Sequence, residues 1–121
     1  CRFEGCAYGL PAAPGLLAAD LPDSLGVHAL RYRTQPAGAL GALAVFAAAL
    51  WAYGRARPAR VFWGTLAGLS LVHAAVTLGR GAPAPLLFGL RLDLWVDVAL
   101  IVVAGSRWAV VSGQSTDLLP H

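Results

Sequence analysis

The chain has 121 residues, of which 58% are apolar and 12% charged, whereas an ordinary soluble domain has roughly 45–50% apolar and about 25% charged residues. So few charges cannot cover a soluble domain of this size, which argues against a soluble monomer and favours lipid as the solvent. The formal net charge of +3 comes from scattered arginines without a basic aromatic surface, so we expect no nucleic-acid partner.

Residues 1–33 are expected to form an extended extramembrane segment, because their longest apolar run is short and contains Pro11 and Pro14. Asp23 could cap a short helix over residues 24–32, which would lie along the membrane surface. Cys1 and Cys6 suit a disulfide in an oxidising compartment, free thiols or lipidation of a bacterial lipoprotein at Cys1, and they predict no metal site.

Three uncharged or weakly charged stretches follow, each long enough to cross a hydrocarbon core of about 30 Å. We place them at 37–54, 61–79 and 92–111, so that residues 34–111 form one membrane domain and 112–121 a flexible tail. The fold class predicted is an all-α integral membrane protein with three transmembrane helices. Gly64 and Gly68 have the four-residue spacing that allows a neighbouring helix to approach closely.

The connection between the first two spans is the densest basic patch, with Arg55, Arg57 and Arg60 in six residues. We call the end of the helices that carries this connection side A, and the opposite end side B. Arginines are equally numerous near the two sides, so the positive-inside rule does not decide the orientation by itself. The cysteines on side B and the dense patch on side A favour a bacterial inner membrane with the N-terminus outside and the C-terminus in the cytoplasm.

A stripe of polar residues marks one face of the second span and one face of the third: Ser70, His73, Thr77 and Arg80, and Asp93 and Asp97. His73 and Asp97 lie at nearly the same depth from side B on consecutive antiparallel spans. Because an ionisable group in a span requires a partner, we expect Asp97 near His73, and Arg80 or Arg91 near Asp93. These contacts could simply hold two helices together.

Three functions remain open from the sequence. The first is a non-catalytic accessory or structural subunit of a multi-subunit membrane complex, of the respiratory or photosynthetic electron-transfer kind, with lipids and other membrane subunits as partners. The second is a protein that handles a haem, a chlorophyll-type pigment, a quinone or protons through His73 and Asp97. The third is a small oligomeric transporter or membrane enzyme, although no nucleotide-binding, nucleophile-elbow or zinc-protease motif supports catalysis.

Overall fold

The computed structural model describes residues 8–113. In chain order these residues form the strands β1 and β2, the helices α1 and α2, the strands β3 and β4, and the helix α3. Their bounds are Ala18–Pro22, His28–Tyr32, Thr34–Ala52, Pro58–Leu78, Leu86–Leu87, Leu90–Arg91 and Leu92–Gly113. All three helices are long and apolar enough to cross a membrane, as predicted, but two small antiparallel sheets mean that the all-α class is not exact.

The helix ends follow the local sequence. Pro36 lies in the first turn of α1 and Pro58 is the first residue of α2, where the missing N–H would have no helical partner in any case. Both helices therefore begin three residues earlier than the spans predicted at 37 and 61. Gly54 takes a φ of 80° in the connection after α1, a conformation that glycine adopts without steric cost.

The short surface helix predicted over residues 24–32 is wrong, because this region is the turn and second strand of a β-hairpin. β1 and β2 pair antiparallel, with Pro22 opposite His28 and Ala18 opposite Tyr32. Asp23 caps the turn instead of a helix: its Oδ1 accepts the backbone N–H groups of Leu25 and Val27 at 2.9 and 3.0 Å. The turn closes through a glycine at position 26 with φ of 79°, which is the usual three-residue hairpin geometry.

The Asp23 carboxylate also forms the ion pair and hydrogen bonds that stabilise this hairpin. The pKa of Asp23 lies below its ordinary value, mainly because of the backbone hydrogen bond from Val27. Desolvation raises the pKa, whereas the hydrogen bond from Leu25 and the charge of Arg31 lower it further. Arg31 donates from Nη2 to Oδ2 of Asp23 at 3.2 Å and lies over the ring of Tyr8. The carboxylate therefore links the turn to β2, and Arg31 links β2 to the segment that precedes the hairpin.

The segment before the hairpin connects it to the side-B end of α2. Leu10 donates its N–H to the carbonyl of Gly79 at 2.8 Å, and Gly81 donates to the carbonyl of Tyr8 at 3.0 Å. On its other edge this segment pairs with β2, since Tyr32 donates to the carbonyl of Leu10. The result is a small β layer that is hydrogen-bonded to the end of the helical domain.

A second, shorter hairpin precedes α3. β3 and β4 are joined by Phe88 and Gly89, with φ values of 52° and 79°, as expected for a two-residue turn with both central residues left-handed. The indole N–H of Trp95 donates to the carbonyl of Leu87 at 2.9 Å, and the Phe88 ring meets the Trp95 ring edge to face. The first turn of α3 therefore supports this hairpin.

The three helices pack with α2 in the middle, contacting α1 on one side and α3 on the other. Glycines bring α1 and α2 together, because a Cβ built on Gly41 would lie 2.7 Å from a methyl group of Val72. A Cβ on Gly68 would similarly lie 3.1 Å from Val45. Two helices flanking a third leave open grooves between them, and the site described below lies in one of these grooves.

The distribution of polarity is the reverse of that in a soluble domain. Within residues 8–113, the buried positions of the helices are Thr34, Ser70, Thr77, Asp97 and Ala104. Large apolar side chains such as those of Leu40, Phe46, Leu71, Val102 and Val110 are exposed. Polar groups that face the bundle interior and apolar groups that face outward are the arrangement expected in lipid.

Candidate functional site

The centre of the site is a hydrogen bond between α2 and α3. Nδ1 of His73 lies 2.8 Å from Oδ2 of Asp97. His73 is five residues from the last residue of α2, and Asp97 is five residues from the first residue of α3, so both lie about 7.5 Å from the side-B helix ends. The structure thus brings together the two ionisable residues that the sequence places at matching depth.

The two partners have unequal exposure. The Asp97 side chain is 6% exposed, whereas the His73 side chain is 49% exposed. The carboxylate therefore lies between the helices, whereas the imidazole contacts it from the surface of the bundle. Because Nδ1 is engaged by the carboxylate, Nε2 is the ring nitrogen that remains for a further partner.

The two small hydroxyl residues of the predicted polar stripe lie in the interior of the bundle. Ser70 and Thr77 are buried at one helical turn on either side of His73, and Thr77 is fully enclosed. Within residues 8–113 the Thr77 hydroxyl has no hydrogen-bond partner. These two small residues flank His73 on the side of α2 that faces the bundle interior.

Arg80 or Arg91 was predicted as the partner of Asp93, and the structure pairs Asp93 with Arg91. Arg91 donates from Nε and Nη2 to the two carboxylate oxygens of Asp93, each at 3.2 Å. Its Nη1 donates to the carbonyl of Ala82 at 2.8 Å. This pair fastens the connection before α3 to the first turn of the helix and is separate from the His73 site.

Arg80 instead lines a groove of about 360 Å³ between α1 and α2, on whose wall His73 also lies. The first turn of α1 contributes Thr34 and Gln35 to the same end of the groove. Gly38 and Val76 lie nearer side B than His73, whereas Val72, Ala42 and Leu69 lie deeper along the helices. The groove therefore has a polar end, formed by Thr34, Gln35 and Arg80, with His73 about 7.5 Å deeper, and an apolar remainder.

Two polar atoms at this polar end are buried without a hydrogen-bond partner in the described part of the chain. They are Oε1 of Gln35 and Nε of Arg80. Buried polar atoms are normally hydrogen-bonded to protein or to a bound molecule. The polar end of the groove therefore offers an acceptor from α1, a cationic donor from the α2–α3 connection and the His73 ring.

Gly64 and Gly68, which were predicted to mediate helix packing, lie against different helices. A Cβ on Gly68 would meet Val45 of α1, whereas a Cβ on Gly64 would meet the indole of Trp108 in α3 at 3.6 Å. Cys1 and Cys6, proposed for a disulfide or lipidation, lie outside the described residues. Within residues 8–113, no group of three or more His, Cys, Asp and Glu side chains is arranged to hold a metal ion.

The sequence interpretation missed Thr34 and Gln35. A signal for them was present, because they are polar residues at the start of an otherwise apolar stretch. That signal does not reveal which helix they face. In the structure they lie where α1 closely approaches α2 at the small residues Gly38 and Gly41.

The arrangement suits two kinds of chemistry. An imidazole whose Nδ1 is held by a carboxylate can accept and return a proton at Nε2, and the same orientation is typical of histidines that ligate a metal. A haem or chlorophyll-type pigment would have His73 as its single protein ligand here, because the next described histidine, His28, lies in β2 at the surface. Comparison with known proteins adds no constraint: no protein-family model, curated protein or solved structure matches this chain.

Proposed function

We propose that this chain is a proton-handling membrane protein in which His73 exchanges a proton with a molecule in the groove and Asp97 orients and stabilises the ring. The observation that carries the proposal is the 2.8 Å contact of a half-exposed imidazole with a carboxylate that is almost completely buried. In this proposal the three apolar helices span a bacterial inner membrane, with side B outside.

The physical basis is the fixed orientation of the ring. In the neutral ring Nδ1–H donates to Asp97, which leaves Nε2 as the acceptor of a side chain that lines the groove. When Nε2 takes up a proton, the positive ring lies against a negative carboxylate, so the charge is compensated where water is scarce. A histidine without this partner would have no preferred tautomer and no nearby countercharge.

The competing explanation is that the pair only holds α2 against α3. The two explanations differ in whether the His73 ring changes its protonation state. We would label the histidine rings of the full chain with ¹⁵N, reconstitute it in lipid nanodiscs and record the ring signals from acid to alkaline pH. The chain has three histidines, so the spectrum is simple to assign by substitution.

The expected result is a single Nδ1–H tautomer for neutral His73 and reversible protonation at Nε2. In Asp97→Asn, whose amide can donate as well as accept, the single tautomer should be lost. The matched control is Asp20→Asn, because Asp20 faces His28 at 3.6 Å in an exposed pair. A His73 ring that keeps one protonation state throughout would reject the proton-handling role and leave a structural contact.

A second candidate is an accessory subunit of a membrane electron-transfer complex. It is favoured by the open arrangement of the helices, in which α1 has Thr34 as its single buried residue within the described chain. Helices that cover little of each other's surface can be completed by helices of other subunits. Mild detergent extraction from the native membrane tests this: recovery of a lone monomer without partner subunits would contradict it.

A further inference from the structure

We infer that the groove between α1 and α2 binds the head group of an amphipathic membrane molecule, with the head at Gln35, His73 and Arg80 and the apolar tail along Val72 and Leu69. The head that fits is a quinone, whose carbonyl oxygens accept hydrogen bonds, and a lipid phosphate is the other source of such an acceptor that the experiment distinguishes. The inference deepens the proton-handling proposal by naming its partner, and it rests on that proposal for the role of His73.

The unpaired polar atoms are the first support. Nε of Arg80 requires an acceptor, and Oε1 of Gln35 requires a donor, or an acceptor if the side-chain amide is turned over. A head with paired carbonyl and hydroxyl oxygens, such as a quinone and its quinol, can satisfy both kinds of atom. Because the side chains of Gln35 and Arg80 line the groove that also includes His73, one ligand in the groove lies beside all three residues.

The size and polarity of the groove are the second support. A volume of about 360 Å³ lies at the lower end of the range of small-molecule sites, which are mostly apolar with a few convergent polar groups. Thr34, Gln35 and Arg80 lie at the side-B end, His73 lies about 7.5 Å deeper, and beyond His73 the lining is Val72, Ala42 and Leu69. A polar head between Arg80 and His73 would therefore be followed by an apolar tail that extends toward the middle of the helices.

The position of His73 distinguishes the two sources of such a head. Arg80 and Gln35 lie at the side-B ends of the helices, whereas His73 lies about 7.5 Å farther along α2. A lipid phosphate held at the membrane surface would bind Arg80, whereas a quinone ring can enter the groove and reach Nε2 of His73. The protonation change then occurs next to the oxygen of the bound head.

The experiment uses the full chain with ¹⁵N-labelled histidine rings in nanodiscs of zwitterionic lipid, titrated with a short-tailed para-benzoquinone. We expect saturable shifts of the His73 ring signals and no shift of His28, which lies on the surface hairpin. Arg80→Gln should raise the apparent dissociation constant at least about tenfold, because it removes a charged hydrogen-bond donor. Arg33→Gln is the matched control, since it removes one side-B arginine that does not line this groove.

A second arm replaces the quinone with nanodiscs that contain an anionic phospholipid. A lipid phosphate that stays at Arg80 should leave the His73 signals unchanged in this arm. Saturable shifts of His73 that appear there and depend on Arg80 would assign the site to a lipid phosphate and overturn the assignment to a quinone. Gln35→Leu serves as a second variant if Arg80→Gln does not fold, and it should also weaken binding. The inference would be overturned by shifts that do not saturate, that affect His28 equally or that persist unchanged in both variants. This outcome is independent of proton handling, which the titration of His73 without ligand tests.

Discussion

Replacing His73 by leucine should destabilise the protein far more than replacing Asp97 by leucine. His73→Leu leaves the carboxylate of Asp97, a residue that is 4% exposed, without its partner between the helices. Asp97→Leu leaves a half-exposed imidazole that can still turn its polar atoms toward the groove. The asymmetry follows from which of the two groups has been removed from solvent.

An upper and a lower range bound the loss of stability expected for His73→Leu. Removing one partner of a buried ion pair costs about 3–5 kcal/mol, whereas hydrogen bonds between membrane helices average about 0.6 kcal/mol and reach about 1.7. The partner ring is half-exposed and the carboxylate lies near a helix end, so we expect an intermediate value of about 2 kcal/mol for His73→Leu. That value changes the unfolding equilibrium roughly 30-fold. For Asp97→Leu we expect about 0.5–1 kcal/mol.

The double variant makes the prediction sharp. When both partners are apolar, no polar group is left unpaired, so His73→Leu with Asp97→Leu should be close to the original stability. The assay is reversible unfolding of the chain in bicelles, followed for all four members of the cycle. The prediction would be wrong if the two single changes had additive effects on the free energy of unfolding. It would also be wrong if His73→Leu destabilised the chain no more than Asp97→Leu. The exposed pair of His28 and Asp20 should show no resolvable coupling in the same cycle.

Three further predictions concern the parts that position the site. Gly41→Ala should cost about 1–3 kcal/mol in the same unfolding assay, because the new Cβ would lie 2.7 Å from a valine methyl group of α2. Gly9→Ala should detach the segment before the hairpin, since its Cβ would collide with the carbonyl oxygen of Tyr32, and faster amide hydrogen exchange at Tyr32 would report the loss. The pKa of Asp23 is lowered mainly by the hydrogen bond from Val27, so the stabilisation of the hairpin is complete above the ordinary carboxyl pKa and is lost as pH falls through the lowered value. The protection factors of the turn amides, which correct for the pH dependence of intrinsic exchange, should therefore fall in acid, and Asp23→Ala should abolish that fall.

Each of these has a control within the chain. Gly105→Ala places a methyl group where no atom lies within 4 Å, so it should not destabilise the chain, and the higher helix propensity of alanine should stabilise it slightly. Gly15→Ala is the corresponding control for Gly9→Ala, for the same reason. Asp20→Ala changes an exposed carboxylate of β1 and should retain the acid dependence of the turn. Equal effects of a variant and its control would show that the contact in question does not position the structure.

Local patterns in the sequence predicted the helices better than the sheets. An apolar stretch of about 20 residues predicts a long helix without reference to the rest of the chain, because each helical hydrogen bond is local. The first hairpin was missed because Leu25, His28 and Tyr32 also suit one face of a helix. Gly26 was the contrary signal, since a glycine with positive φ closes the turn that Asp23 caps.

The depth of each polar residue along its helix follows from the sequence, and this depth predicts that His73 and Asp97 can meet. The lateral arrangement follows from helix packing: α2 lies between α1 and α3, Arg91 pairs with Asp93, and Gln35 and Arg80 line one groove with His73. Depth is predictable because the rise per residue is constant, whereas the choice of neighbours depends on small residues such as Gly41 and Gly68, which determine where whole helices approach.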